Sequence, residues 1–132
     1  MSKNPFFPAI ITRLPQAEIP VKGLRSYLLQ GEEQQIVFMD FQSGAEIPEH
    51  SHRAQWGVVL DGEIELTIDE KKRTFKKGDA YFIPEGVRHS AIIKKGYKDL
   101  TLFDQKDRYQ AVKVPLHDVK KPAVRRGPEE ES

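Results

Sequence analysis

The chain contains no cysteine. That absence excludes disulfides, thiolate nucleophiles and sulfur-ligated metal, so any metal here is held by nitrogen and oxygen donors. A dominant charge is missing too: 21 basic and 20 acidic side chains leave a formal net charge of +1. So balanced a chain has no field with which to hold a polyanion, and nucleic acid is not an expected partner. No apolar run approaches the roughly 20 residues of a membrane span. The N-terminal MSKNPFFPAI also lacks the continuous apolar stretch of a signal peptide. The expectation is a cytoplasmic protein with no membrane partner. Long helical periodicity and internal repeats are absent as well.

What is present is enough for one domain. At 132 residues, 38% of them hydrophobic, the chain can bury one core but not two. Short strand signals recur at Leu24–Leu29, Gln35–Phe41, Gln55–Leu60, Glu63–Asp69, Arg73–Phe75, Ala80–Ile83, His89–Lys94 and Asp99–Asp104, separated by glycine, proline or charged turns. The pattern predicts an all-β chain. Alternation is cleanest where Ile64, Leu66 and Ile68 take an inner face and Glu63, Glu65, Thr67 and Asp69 an outer one. Glu70, Lys71 and Lys72 are expected to make the next turn, and the basic run after them reads as a solvated strand edge guarded against pairing.

The ends differ from the middle. Residues 5–20 combine four prolines with an apolar stretch, which favours extended or edge geometry. Residues 1–20 therefore read as an N-terminal extended arm, packed either on a neighbouring copy or on the chain's own β domain, residues 21–114. Residues 115–132 carry four basic residues, four acidic ones and three prolines, with nothing apolar after Val124, and read as a mobile C-terminal tail. His117 falls in that tail and reads as a surface residue.

The other three histidines sit in two framed motifs. The first runs Gly44, His50, Ser51, His52, Gln55, Gly62; the second runs Gly78, Pro84, Gly86, His89. A His-x-His pair on an extended segment presents both imidazoles on one face, because strand side chains alternate with period two. The Pro84-Glu85-Gly86 turn between two apolar runs delivers a third imidazole. Imidazole nitrogen is a preferred donor for divalent first-row metals. A metal-free barrel with core histidines is the competing reading.

These framed motifs resemble the paired signature motifs of the cupin superfamily across residues 30–104. The resemblance implies a double-stranded β-helix, a jelly-roll barrel, holding one divalent transition metal per chain on His50, His52 and His89. Where that family usually has a glutamate as fourth ligand, this chain has Gln55, after a loop one or two residues shorter; Ile93 stands where the second motif ends in asparagine. An amide in place of a carboxylate leaves the ion its full double charge, which makes a stronger Lewis acid. It also favours zinc, nickel or iron over manganese. Gln55 is either a direct ligand or a hydrogen-bond partner of a ligand or water.

The string from Gln55 to Leu66 is similar to small cupins of the pectin-degradation type, which open cyclic unsaturated uronates to keto sugars. In those an aspartate, a phenylalanine and an arginine from the last strand complete the active site. The nearest match here is Phe103, Asp104 and Arg108, in shifted order and spacing. A dication with no anionic ligand attracts anionic oxygen donors, so Arg108 or a nearby lysine is expected to hold a substrate carboxylate and Asp104 to move a proton, although Asp104 also suits a strand end in solvent. Small cupins commonly dimerise through one sheet, so a homodimer is implied, with Trp56 facing away from Gln55. The leading reading is a metal-dependent isomerase, lyase or dioxygenase acting on a small, anionic, oxygen-rich molecule such as a sugar acid or keto acid. The alternative is a non-catalytic binding or sensing module.

Overall fold

The computed structural model describes residues 6–113. The tail predicted at 115–132, His117 and the first five residues lie outside the described residues. Among the described residues nine strands follow one short helix: α1 Ala9–Thr12, β1 Leu24–Gln30, β2 Gln35–Phe41, β3 Ala45–His50, β4 Gln55–Asp61, β5 Glu63–Ile68, β6 Lys71–Lys76, β7 Ala80–Ile83, β8 His89–Ile93 and β9 Lys98–Phe103. They form a five-stranded sheet, ordered β1-β2-β9-β4-β7, facing a four-stranded sheet, ordered β3-β8-β5-β6.

All strand pairs are antiparallel, and the order has a simple origin. β5 pairs with β6, β4 with β7, β3 with β8 and β2 with β9. The chain is thus one long hairpin wound into a jelly roll, with the β9–β4 and β5–β8 ladders joining successive turns. At the hairpin's tip the turn is Asp69-Glu70, one residue ahead of the predicted Glu70-Lys71-Lys72. Both residues have positive φ, 52° and 67°. That left-handed pair is the turn whose twist matches two antiparallel strands. β6, an edge strand, exposes its lysines as the sequence predicts, and buries only Phe75.

The core lies between the sheets, where Val37, Met39 and Phe41 of β2 meet Val59, Ile64, Leu66, Ile83 and Phe103. β3 is the strand the sequence reading omitted. Pro48 interrupts it, and proline is tolerated because β3 lies on a sheet edge. The proline-rich arm is also not wholly extended. Pro8 precedes a single helical turn, and Phe7 packs edge-on against Tyr27 and Phe38, ring centroids 6.2 and 5.6 Å away. Gln16 bridges to Tyr27 and Ala17 to Ala111, so the arm packs on its own barrel.

The outer face of the five-stranded sheet is apolar as well. Register aligns Leu29, Ile36, Leu102, Trp56 and Phe82 in one row across all five strands. Trp56 is 41% exposed and Phe82 58%. The row leaves both faces of this sheet apolar.

Candidate metal centre

His50, His52 and His89 meet at one end of the barrel. His89 opens β8 and pairs directly with His50, the last residue of β3. Strict alternation would turn His50 outward, since Ile47 faces the core three residues earlier. A register shift between Ile47 and His50 absorbs one extra residue and re-aims the ring. His52 lies beyond the strand, in the loop to β4. The three rings therefore converge through a bulge and a loop, not through the strand alternation the His-x-His spacing suggests. Centroids are 4.3 to 5.1 Å apart.

Each ring is held from behind by a backbone carbonyl. Nδ1 of His50 lies 2.8 Å from the Pro48 oxygen, that of His52 2.7 Å from Arg53, and that of His89 2.9 Å from Val87. A carbonyl only accepts, so each Nδ1 is assigned the proton and each Nε2 is left with a bare lone pair. The Nε2 atoms of His52 and His89 are 3.1 Å apart. Two lone pairs facing each other at that distance repel unless a proton or cation lies between them. A tetrahedral zinc would separate its nitrogen ligands by roughly 3.3 Å, which this pair nearly matches. The ligand atoms of all three histidines lie within 4.8 Å of one another. The donor set fits a divalent metal, with the backbone acting as the outer shell that fixes each tautomer.

Burial, opposed by the Arg53 carbonyl and helped by the positive charge of Arg108, lowers the His52 pKa to about 4. His89 is lowered by the same desolvation, with smaller contributions from His50 and Arg108. A depressed histidine pKa keeps the imidazole neutral, hence competent as a ligand, to lower pH. With two of the three ligands lowered, zinc affinity should fall between pH 7 and 5 by much less than three ordinary histidines would require, as read in isothermal titrations. Three ordinary histidines would each cost roughly thirtyfold by pH 5. A fall near their product, about 10⁴-fold, would contradict this account.

The rings open onto a cavity of about 90 Å³, room for several waters or a small ligand, which Gln55, Tyr81, Phe103 and Arg108 also line. Gln55 faces inward from β4, and its Nε2 donates to the Tyr81 hydroxyl at 3.3 Å, leaving its amide oxygen free for the cavity. Arg108 stacks its guanidinium over Tyr109, 4.4 Å from the ring centroid, and its buried Nε has no partner among the described residues. Asp104 is not in the site. It follows Phe103 on the opposite face of the chain, is exposed, and accepts a hydrogen bond from Gln34 at 3.2 Å.

The inward positions of β9 are instead Asp99, Thr101 and Phe103. Asp99 is 3% exposed. Burial raises its pKa to about 7, offset in part by the Tyr97 hydroxyl, which donates to Oδ2 at 2.8 Å. The Thr101 and Tyr81 hydroxyls nearby also favour its anion. Neither reaches hydrogen-bonding geometry with Oδ1, which has no partner. Sequence pattern does not single out this aspartate, because β9 turns its polar positions inward and its leucines, Leu100 and Leu102, outward. They belong to the apolar outer face.

The family model described as "Cupin domain" matches residues 37–104. No curated protein matches the chain. Among solved structures, an RmlC-like cupin from Shewanella frigidimarina is 27% identical, with a TM-score of 0.64 over 82% of this chain and 96% of that one. KdgF from Halomonas sp. is 22% identical, with a TM-score of 0.61 over 69% and 87%, a likeness of fold. An oxalate decarboxylase from Bacillus subtilis is 27% identical, with a TM-score of 0.58 over 73% of this chain and only 29% of the larger protein.

Proposed function

The chain belongs to the cupin domain family, and from that premise we propose that it is a metal-dependent enzyme acting on a small sugar acid or keto acid, of isomerase, lyase or dioxygenase type. The observation that carries this reading is the convergence of three backbone-anchored imidazoles on one cavity wall with Arg108 at the same cavity. A bound zinc, nickel or iron would supply Lewis acidity toward a substrate carbonyl or hydroxyl. His50, His52 and His89 would hold it, with Gln55 completing the set through its amide oxygen. Because none of these donors is anionic, the site favours a ligand that brings its own negative charge. Arg108 offers a donor for that carboxylate. One similar structure is an oxalate decarboxylase, which supports a small carboxylate as ligand.

The test is turnover and thermal shift on metal-loaded protein across unsaturated uronates, keto acids, flavonols and simple sugars. The acids are expected to bind, and Arg108→Ala to weaken them selectively. If only neutral compounds stabilise the protein, or no acid is transformed with any of the three metals or manganese, the catalytic reading fails. A non-catalytic binding module would remain, and one observation favours it: Asp104, the expected proton carrier, faces solvent.

Gln55→Glu places a negative charge beside the cation. It is expected to tighten manganese relative to zinc by tenfold or more, on the order of a charge-assisted contact. Unchanged competition between the two metals would put Gln55 outside the ligand set. We also propose a second copy of this chain as the partner of the apolar row containing Leu29, Trp56 and Phe82. The row runs unbroken from edge to edge of the sheet, and a two-fold contact is the commonest way such a face is covered. Light scattering is expected to give twice the chain mass. A monomer that persists at micromolar concentration would rule this out.

A further inference from the structure

Two buried polar atoms on the cavity wall have no partner. Oδ1 of Asp99 and Oγ1 of Thr101 make no hydrogen bond among the described residues, although Asp99 is 3% exposed and Thr101 fully buried. Buried polar atoms are ordinarily satisfied, so a native pair left open on a cavity marks a place for a missing partner. Both residues line the cavity that the histidines enter. They occupy its far part. Phe103, two residues along the same inward face from Thr101, packs on His52 with centroids 5.7 Å apart. At about 3.3 Å per residue, Thr101 lies about 7 Å and Asp99 about 13 Å along the strand from Phe103.

We propose that Asp99 and Thr101 form a second polar subsite that takes a ligand hydroxyl at the end of the cavity away from the histidines; this rests on the reading of a small hydroxylated acid as ligand. The chemistry selects the group. An ionised carboxylate oxygen only accepts, whereas a threonine hydroxyl can donate or accept. A ligand hydroxyl satisfies both at once, giving its proton to Asp99 and accepting one from Thr101. A ligand carboxylate cannot sit there, because it would face Asp99 charge to charge. Arg108 belongs to the histidine end, its guanidinium 5.7 Å from the centroid of the same Phe103 ring that packs on His52. The cavity is therefore polarised, positive at the histidine end and anionic at the other, and a bound hydroxy acid has one orientation. The class implied is an acid with a hydroxylated chain long enough to cross about 7 Å, not a two-carbon acid.

The experiment compares glycolate with gluconate on zinc-loaded protein at pH 8, by calorimetry, in the wild type, Thr101→Val and Asp99→Asn. Zinc content is measured on each sample. Gluconate is expected to bind more tightly than glycolate to the wild type. That advantage should fall about three- to tenfold in Thr101→Val and at least as much in Asp99→Asn, while glycolate is unaffected. Thr101→Val is the safer variant, since exchanging an unpaired buried hydroxyl for a methyl should leave stability equal or raised. An unchanged gluconate advantage in both variants, or none in the wild type, overturns the subsite. Glycolate binding to zinc-loaded protein would then leave the proposed function standing. Equal losses for both acids also overturn it, since the change would act through the whole site. If neither acid binds the zinc-loaded wild type, the anion-binding reading and the subsite fall together.

Discussion

Replacing His52 or His89 by alanine is expected to abolish stoichiometric metal while leaving the barrel folded. Among the described residues the three imidazoles are the histidines grouped at the centre, and each is tied by Nδ1 to a carbonyl of its own segment. Removing one does not allow another to move in. The barrel survives because its stability comes from the apolar core between the sheets, of which neither histidine is a member. Truncating the buried His89 opens a small void worth about 1–3 kcal/mol. Part of that is offset, because the variant no longer holds two Nε2 lone pairs 3.1 Å apart. Metal-loaded wild type should melt higher than the metal-free form, since a ligand present at a thousandfold over its Kd contributes about 4 kcal/mol. Neither variant should show the shift. Elemental analysis of protein purified without chelator or nickel resin, with circular dichroism as the folding control, decides it. A full equivalent of metal in either variant would mean that the ion binds elsewhere.

Much of this was legible in the sequence, and the exceptions share a cause. Eight of the nine strands announce themselves through apolar runs cut by glycine and proline, and the framed histidines point to one another across 39 residues of chain. What pattern cannot reveal is where alternation breaks. Pro48 hid β3, and the bulge beside it turns His50 inward against the period-two rule. Nor does pattern reveal where the rule that a strand's apolar face is its inner face fails. That rule assumes one wet face per sheet. Here Leu100 and Leu102 lie on an apolar outer face, so the polar positions Asp99 and Thr101 point into the cavity, and Asp104, two residues beyond Leu102, points out. Arg108 follows the last strand in an irregular segment, where only its resemblance to a known motif singled it out.

Gly57→Ala should couple fold and site more sharply than any other change of one carbon. Gly57 lies in the middle of β4, directly opposite Tyr81 of β7, and the Tyr81 ring crosses the space its side chain would fill. A Cβ there would stand 2.7 Å from the ring's Cε2, and closer still to Cζ and the hydroxyl oxygen. The strand cannot retreat, since β4 is paired on both sides, with β7 and β9. Nor can the ring swing out easily, being buried and packed on Phe75 at 5.6 Å. Overpacking of this kind costs about 1–3 kcal/mol, read as a lowered urea midpoint at unchanged slope. The site should feel it too. The Tyr81 hydroxyl accepts the hydrogen bond that steadies Gln55, so displacing the ring frees the Gln55 amide, and zinc affinity should fall together with stability. The cause is separable from a general loss of β propensity by repeating the change in a Tyr81→Ala background, where the ring is gone. There Gly57→Ala should cost little or nothing, a coupling of about 1–3 kcal/mol between the two positions. An equal cost in both backgrounds would show that the clash with Tyr81 is not what requires glycine at this position.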